Sequence, residues 1–302
     1  MTKEEFRSLT QQPVLLDGAF GTNMYAAGMP KGVSTEGWAL EHADVVRELQ
    51  RGYVEAGTRI LYAPTFGLNR HVLQGFGMEE RMREMNRRLV ALTREAAGDE
   101  VLVAGDLAPT GMLLESSGGE NTVEELFEVY REQIEYLAEA GVDLLVAETM
   151  MSVDDCVVAV DAAHAVCDLP VMCSLTVNAD GRAYYGGTIT EAAETLQEMG
   201  ADAVGINCCS GPDQVLSIIE QIAKISRIPI IAKPNAGMPR IDDSGRAIYD
   251  MGPDEFAHKM MALVDAGAVL VGGCCGTTPA YIRRLDLALK GQLITAGHSL
   301  SR

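Results

Sequence analysis

Two neighbouring cysteines stand in the stretch Gly272-Gly273-Cys274-Cys275-Gly276-Thr277-Thr278-Pro279. The run Ala268-Val269-Leu270-Val271 before them reads as a buried strand, and Pro279 after them suits the first turn of a helix. In an extended strand, adjacent side chains point to opposite faces, so both thiols address one point only where the backbone bends. The flanking glycines make that bend easy. A bond between the two sulfurs is a poor alternative, because adjacent residues hardly reach relaxed disulfide geometry. Two thiols aimed at one point suit a soft metal, with a third thiol arriving from elsewhere in the chain. Upstream, Ala201–Pro212 repeats the layout: an apolar strand, Cys208-Cys209 at its exit, then Gly211-Pro212 and a helix. Three thiolates leave a tetrahedral site incomplete, as in catalytic zinc centres that keep one exchangeable position. Cys156, Cys167 and Cys173 stand singly and read as small buried hydrophobes.

The elements that must carry these residues alternate in type. Strand-like apolar runs fall at Val14–Asp17, Thr58–Pro64, Val101–Gly105, Val142–Glu148, Pro170–Val177, Ala203–Asn207, Ile228–Lys233 and Ala268–Gly272. Most lack polar alternation, as parallel strands covered on both faces do. Helical patterns lie between them, at Trp38–Ala56, Met78–Ala97, Thr122–Ala140, Val153–Val166, Thr190–Met199, Pro212–Ile225 and Pro253–Ala266. Thr122-Val123-Glu124-Glu125 has the form of a capping box, and Gly141, Gly200 and Gly267 sit where helices end. Eight strand–helix units with no linker between them predict a single-domain (β/α)8 TIM barrel over residues 1–302. Residues 1–13 are expected to close its bottom, and 291–302 to form a loose tail.

Composition narrows the class. Of the 302 residues 47% are hydrophobic and 22% charged, an ordinary globular balance. The net charge of −19 argues against a nucleic-acid or anionic-membrane partner. No run approaches the roughly 18 apolar residues of a membrane span. The start, Met1-Thr2-Lys3-Glu4-Glu5-Phe6-Arg7, is charged and unlike a secretory signal. Seven cysteines in that setting predict a cytoplasmic protein with reduced or metal-bound thiols.

In such a barrel chemistry gathers at the C-terminal ends of the strands. Asp17-Gly18-Ala19-Phe20-Gly21-Thr22 follows the first: an acid beside backbone N–H groups, suited to an amino acid's ammonium and carboxylate. Glu148 closes an apolar run and needs a cationic partner, an arginine or a ligand. Asn207 and Asn235 end the sixth and seventh strands, where either also serves as a turn residue. Lys233 admits a Schiff-base role, though an ion-paired or surface lysine is the simpler reading. The five histidines are scattered and make no ligand-spaced pair.

At this point the chain resembles the homocysteine S-methyltransferase family, and within it the homocysteine-binding module of cobalamin-dependent methionine synthase. The resemblance rests on Asp17–Thr22, Ala63-Pro64-Thr65-Phe66, Gly105–Gly111, Glu148-Thr149-Met150, Gly205-Ile206-Asn207-Cys208, Pro234-Asn235-Ala236-Gly237 and Gly272–Pro279. It implies zinc on Cys208, Cys274 and Cys275, with Cys209 left out. It implies homocysteine held through Asp17, Gly18, Ala19, Glu148 and Asn207, and Asn235 beside the metal. The activity implied is methyl transfer to the zinc-bound homocysteine thiolate, forming methionine. The methyl donor implied is methylcobalamin. The sequence contains no cobalamin-type Asp-x-His-x-x-Gly, so either the corrinoid is on a separate protein or this chain is a fragment of a longer one. The alternatives are S-methylmethionine or betaine as donor, another thiol or selenol as acceptor, an aldolase-like barrel using Lys233, or a non-catalytic subunit that binds homocysteine or a corrinoid protein.

Overall fold

Eight short segments pair into one parallel sheet: β1 Val14–Leu15, β2 Ile60–Tyr62, β3 Leu102–Leu107, β4 Leu144–Met150, β5 Val171–Leu175, β6 Ala203–Asn207, β7 Ile230–Lys233 and β8 Ala268–Val271. The computed structural model describes residues 1–242 and 247–292. From β2 to β8 the strands pair in chain order, and β8 also pairs with β1. A parallel bridge between Leu16 and Ile60, with Arg59 N–H donating to Leu15 at 2.7 Å, joins β1 to β2. The ring so formed is the (β/α)8 barrel expected from the alternation of elements.

Period-two alternation along each strand builds two cores. Val14, Leu16, Ile60, Ala104, Leu144, Val146, Met172, Ala203, Ile231 and Leu270 form a cluster inside the ring. Their neighbours, such as Leu145, Val171, Cys173, Val204 and Val271, pack outward against the helices. The N-terminal helix Lys3–Leu9 begins with a Thr2–Glu5 capping box and inserts Phe6 into the inner cluster. Lys3 ties that helix to Asp202, just before β6, at 3.3 Å. The helix therefore lies at the end of the barrel opposite the cysteines.

Two local features differ from the periodic reading. The helix expected over Trp38–Ala56 is two, Thr35–Glu41 and Ala43–Glu55. The break is at His42, whose ring stacks on Trp38 at 3.9 Å and whose Nδ1 lies 2.9 Å from the Trp38 carbonyl oxygen. After β7 a small hairpin pairs Arg240–Ile241 with Ala247–Ile248. Its strands are two residues long and exposed on both faces, so no apolar pattern announces them. The expected tail lies, apart from Gly291 and Gln292, outside the described residues. Among the described residues no helix is long and apolar enough to cross a membrane.

Phe6 is fully buried within the ring. Phe6→Ala is expected to lower the unfolding free energy by about 3–5 kcal/mol, the range for emptying a core aromatic site. Urea denaturation measures it; an unchanged midpoint would mean that the barrel collapses around the lost ring.

Candidate active site

Three strand ends converge at the C-terminal face, and the exit of β7 is where they meet. The Lys233 carbonyl accepts the Cys208 N–H at 3.2 Å, and the Pro234 carbonyl accepts the Cys274 N–H at 2.8 Å. Asn235 N–H donates to Cys209 at 3.3 Å, and Ala236 N–H to Cys275 at 2.9 Å. Both cysteine pairs are thus fastened to one four-residue segment.

Backbone geometry then sorts the thiols. Cys208 takes φ +52°, the left-handed region that costs a side-chain-bearing residue energy and tends to mark functional sites. This bend sends Cys208 toward Cys274 and Cys275, and turns Cys209 away. Cys209 is buried, with its sulfur receiving the Val177 N–H at 3.3 Å. After β8 the glycines are required by contact: a Cβ on Gly272 would lie 2.5 Å from the Asp17 carbonyl oxygen, and one on Gly273 2.5 Å from Thr277.

The Sγ atoms of Cys208, Cys274 and Cys275 all lie within 4.8 Å of one another, with Cys208 and Cys275 3.7 Å apart. Tetrahedral zinc with sulfur at about 2.3 Å sets sulfurs about 3.8 Å apart, so the spacing fits. All seven cysteines are free thiols. Crowding prevents the cluster from ionising together. Hydrogen bonds with Cys274 and Cys275 push Cys208 far up, while bonds from Cys208 and then Cys274 pull Cys275 down to about 3. A divalent cation relieves that conflict, so the donor set suits a soft metal.

The cluster forms part of the wall of a cavity of about 340 Å³ that is also lined by acidic side chains. Asp17, Gly18, Ala19, Asp106, Glu148 and Lys233 all line it. Lys233 is only 3% exposed, and its Nζ lies 2.7 Å from Asp17 Oδ1 and 3.9 Å from Glu148 Oε2. The same ammonium sits 3.7 Å above the Tyr62 ring. Burial works against its charge, but Asp17 and then Glu148 outweigh burial and keep it protonated. An amine so held is a poor Schiff-base nucleophile. The cationic partner of Glu148 among the described residues is therefore a lysine from β7 rather than an arginine.

Burial pushes Glu148 up to about 7, with the Lys233 charge opposing the shift. Burial also raises Asp17, again against Lys233, and raises Asp106 strongly with help from the Glu148 charge. Gln50 Oε1, Tyr62 Oη and Asp106 Oδ1, on residues of the cavity wall, are buried and meet no hydrogen-bond partner among the described residues.

Several expected residues hold other places. Asn207 is fully buried off the cavity wall, and its amide is a junction. Its Oδ1 accepts from Thr149 N–H at 2.7 Å and Ser174 Oγ at 2.9 Å. Its Nδ2 donates to Thr149 Oγ1 at 2.7 Å and Glu148 Oε2 at 3.3 Å, and lies 4.0 Å from Cys274 Sγ. These bonds hold Thr149 at φ +59°, a strained value for a β-branched residue. Ala19 N–H, expected to be free, is donated to Thr277 Oγ1 at 3.0 Å. Asn235 is buried and does not line the cavity; its Oδ1 finds no partner among the described residues. Sequence reasoning passed over Asp106, Tyr62 and Ser174. Their signal was alternation: each lies two residues past an inward-facing Ala104, Ile60 or Met172.

A parallel barrel with three thiols at the exits of two strands, beside a buried acidic pocket, defines a metal-competent enzyme of thiol chemistry. The homocysteine S-methyltransferase family model matches residues 14–289, and the chain belongs to that family. The methionine synthase of Mycobacterium tuberculosis is 30% identical over 300 residues, covering 93% of this chain and 25% of that protein. The methionine synthase of Mycobacterium leprae is 29% identical over 301 residues, with the same coverage. The chain thus spans about a quarter of the length of these relatives. In structure it is similar to the metallated form of the Escherichia coli homocysteine methyltransferase MmuM. The TM-score is 0.78 at 22% identity, over 93% of this chain and 98% of that one, a likeness of fold.

The raised Glu148 pKa has a sign. The unfolded chain releases this proton near 4.5, the folded chain near 7. The contribution of this carboxyl to stability is full below the lower value and is lost as pH rises through the upper one. In metal-free protein, the urea midpoint is expected to fall between about pH 5 and pH 7.5, less steeply in Glu148→Gln. An equal slope in the variant would assign the dependence to other groups.

Proposed function

We propose that this chain binds zinc through Cys208, Cys274 and Cys275 and methylates homocysteine to methionine. The observation that carries the proposal is the placement of three clustered thiols on the wall of a cavity that Asp17, Asp106 and Glu148 also line. Zinc, when bound, supplies the Lewis acidity that keeps a homocysteine sulfur as thiolate at neutral pH, where a free thiol of pKa near 8.5 is mostly protonated.

The chain's own residues supply orientation. Asp17 and Glu148 make part of the cavity wall acidic, where an amino group is favoured. Gly18 and Ala19 line the wall of the same cavity. Asn207 acts from behind, holding Glu148 and Thr149 in register with Cys274. Asn235, at the β7 exit between the two cysteine pairs, is a candidate for the metal's remaining position. Phe20, Tyr62 and Phe66 on the cavity wall limit water around the acceptor. An acceptor fixed at both ends presents its sulfur for in-line approach to a methyl carbon.

The donor we propose is a methylcorrinoid. All three cysteines are half-buried and line the cavity. A reducing compartment, the cytoplasm, would preserve the thiols.

The zinc assignment predicts about one metal per chain. Cys208→Ser is expected to lose most of the zinc and the activity, and Cys209→Ser to keep both. Metal analysis of the purified variants checks this; loss of zinc in the Cys209 variant alone would exchange the roles of the two neighbours. For the donor, methyl transfer to homocysteine is expected to run faster from methylcobalamin than from betaine or S-methylmethionine. The opposite ranking would remove the corrinoid from the proposal.

A further inference from the structure

The turn that carries two of the three clustered thiols, Cys274 and Cys275, continues directly into Gly276. Hydrogen bonds hold it on the β7 side, through Pro234 and Ala236, and Gly276 N–H donates to Thr22 Oγ1 at 3.2 Å. Gly276 takes φ +83°, a conformation that glycine adopts without strain. Glycine also has the freest backbone of any residue. The position next to Cys275 is therefore the one where this turn is most easily unsettled.

An aromatic ring fills the place of the side chain that Gly276 lacks. A Cβ on Gly276 would lie 2.3 Å from Tyr249 Cγ and 2.6 Å from Tyr249 Cδ2. Tyr249 follows the strand Ala247–Ile248 of the small hairpin after β7. It is half-buried, while its neighbours Ala247, Ile248 and Asp250 are exposed. The chain beside it is well fixed. Met251 N–H donates to the Ala236 carbonyl at 3.3 Å, and Tyr281 Oη to the Met251 carbonyl at 2.7 Å. Asp250 pairs with Arg240 across the hairpin at 3.0 Å. Tyr249 does not line the cavity, so its ring meets the turn without taking up the wall that an acceptor would use.

We propose that Tyr249 is a positioning residue of the metal centre: its ring packs on Gly276, holds the Cys274–Cys275 turn in its metal-binding form and slows escape of the metal. This rests on the zinc reading of the three thiols. A metal leaves such a site when one thiolate swings away, and Cys275 swings away only if the turn at Gly276 reopens. With the ring in place, reopening the turn means breaking its packing and exposing apolar surface to water. Groups outside the ligand set that fix the ligands in place are typically worth about ten- to a hundredfold in metal affinity. The hairpin contributes nothing to either core, and its ordered outgoing strand delivers this one ring to the metal-binding turn.

The test is the rate at which the zinc-loaded full chain gives up its metal to excess EDTA, read beside the urea midpoint of the metal-free protein. Tyr249→Ala is expected to release zinc about ten- to a hundredfold faster than wild type, with a metal-free midpoint close to wild type. Tyr249→Phe keeps the ring and should release zinc at the wild-type rate. Ile248→Ala, one residue away and exposed, should do the same. An unchanged rate in Tyr249→Ala, or equal acceleration in Tyr249→Phe or Ile248→Ala, would overturn the assignment. So would a large fall in the metal-free midpoint of Tyr249→Ala, which would assign the faster release to a general loss of stability. If Tyr249→Ala does not fold, Tyr249→Leu takes its place with the same expectation. Wild type that takes up no zinc would overturn the zinc reading itself, and this inference with it.

Discussion

Four backbone hydrogen bonds at the exit of β7 hold the site together. β6 and β8 are not neighbours: β7 lies between them, so their axes are about twice the 4.8 Å strand spacing apart. Thiols at the ends of two such strands meet only if both exits are drawn over the end of the middle one. The segment Lys233–Ala236 does this by bonding to Cys208 and Cys209 on one side and Cys274 and Cys275 on the other. Pro234 contributes only a carbonyl, and has no N–H that would need a partner of its own. The left-handed φ of Cys208 lies at this convergence, and Gly272 keeps the exit of β8 close to Asp17 on its other side.

The same segment also fixes the charge of the pocket. Lys233 extends the inward alternation of Ile231 to the top of the barrel, where it meets Asp17 from β1 and Glu148 from β4. Burying an ion pair brings little net stability, because desolvation offsets much of the attraction. Removing one member, however, leaves an uncompensated buried charge, a loss of about 3–5 kcal/mol. The pair therefore makes the geometry of β1, β4 and β7 mutually dependent. Chemistry and fold share one set of contacts at this face, while the Phe6 end of the barrel is closed by packing and the Lys3–Asp202 ion pair.

Much of this was legible in the sequence, for identifiable reasons. The eight strands stood out because strands covered on both faces are apolar throughout, and the turn glycines marked the helix ends. The cysteine pairs stood out because chemistry at strand exits has few bland explanations. The hairpin after β7 was invisible because its strands are short and exposed. The break at His42 depends on a ring turning back on its own helix, which no hydrophobic period records. Asp106 was missed within a recognisable motif because its importance depends on register: it faces inward with Ala104, as Glu148 does with Val146 on the neighbouring strand. The engagement of Asp17 by Lys233 was likewise hidden, since 216 residues separate them. Sequence spacing identifies what can sit at a strand end, but the ring decides which ends face each other.

The central claim is that the three thiols form one metal centre open to the acceptor's sulfur. X-ray absorption at the zinc edge, on reconstituted protein with and without homocysteine, tests it most directly. The account predicts three sulfurs at about 2.3 Å without homocysteine, and a fourth sulfur at a similar distance when it is added. A first shell dominated by nitrogen or oxygen, or a sulfur count that homocysteine leaves unchanged, would contradict it.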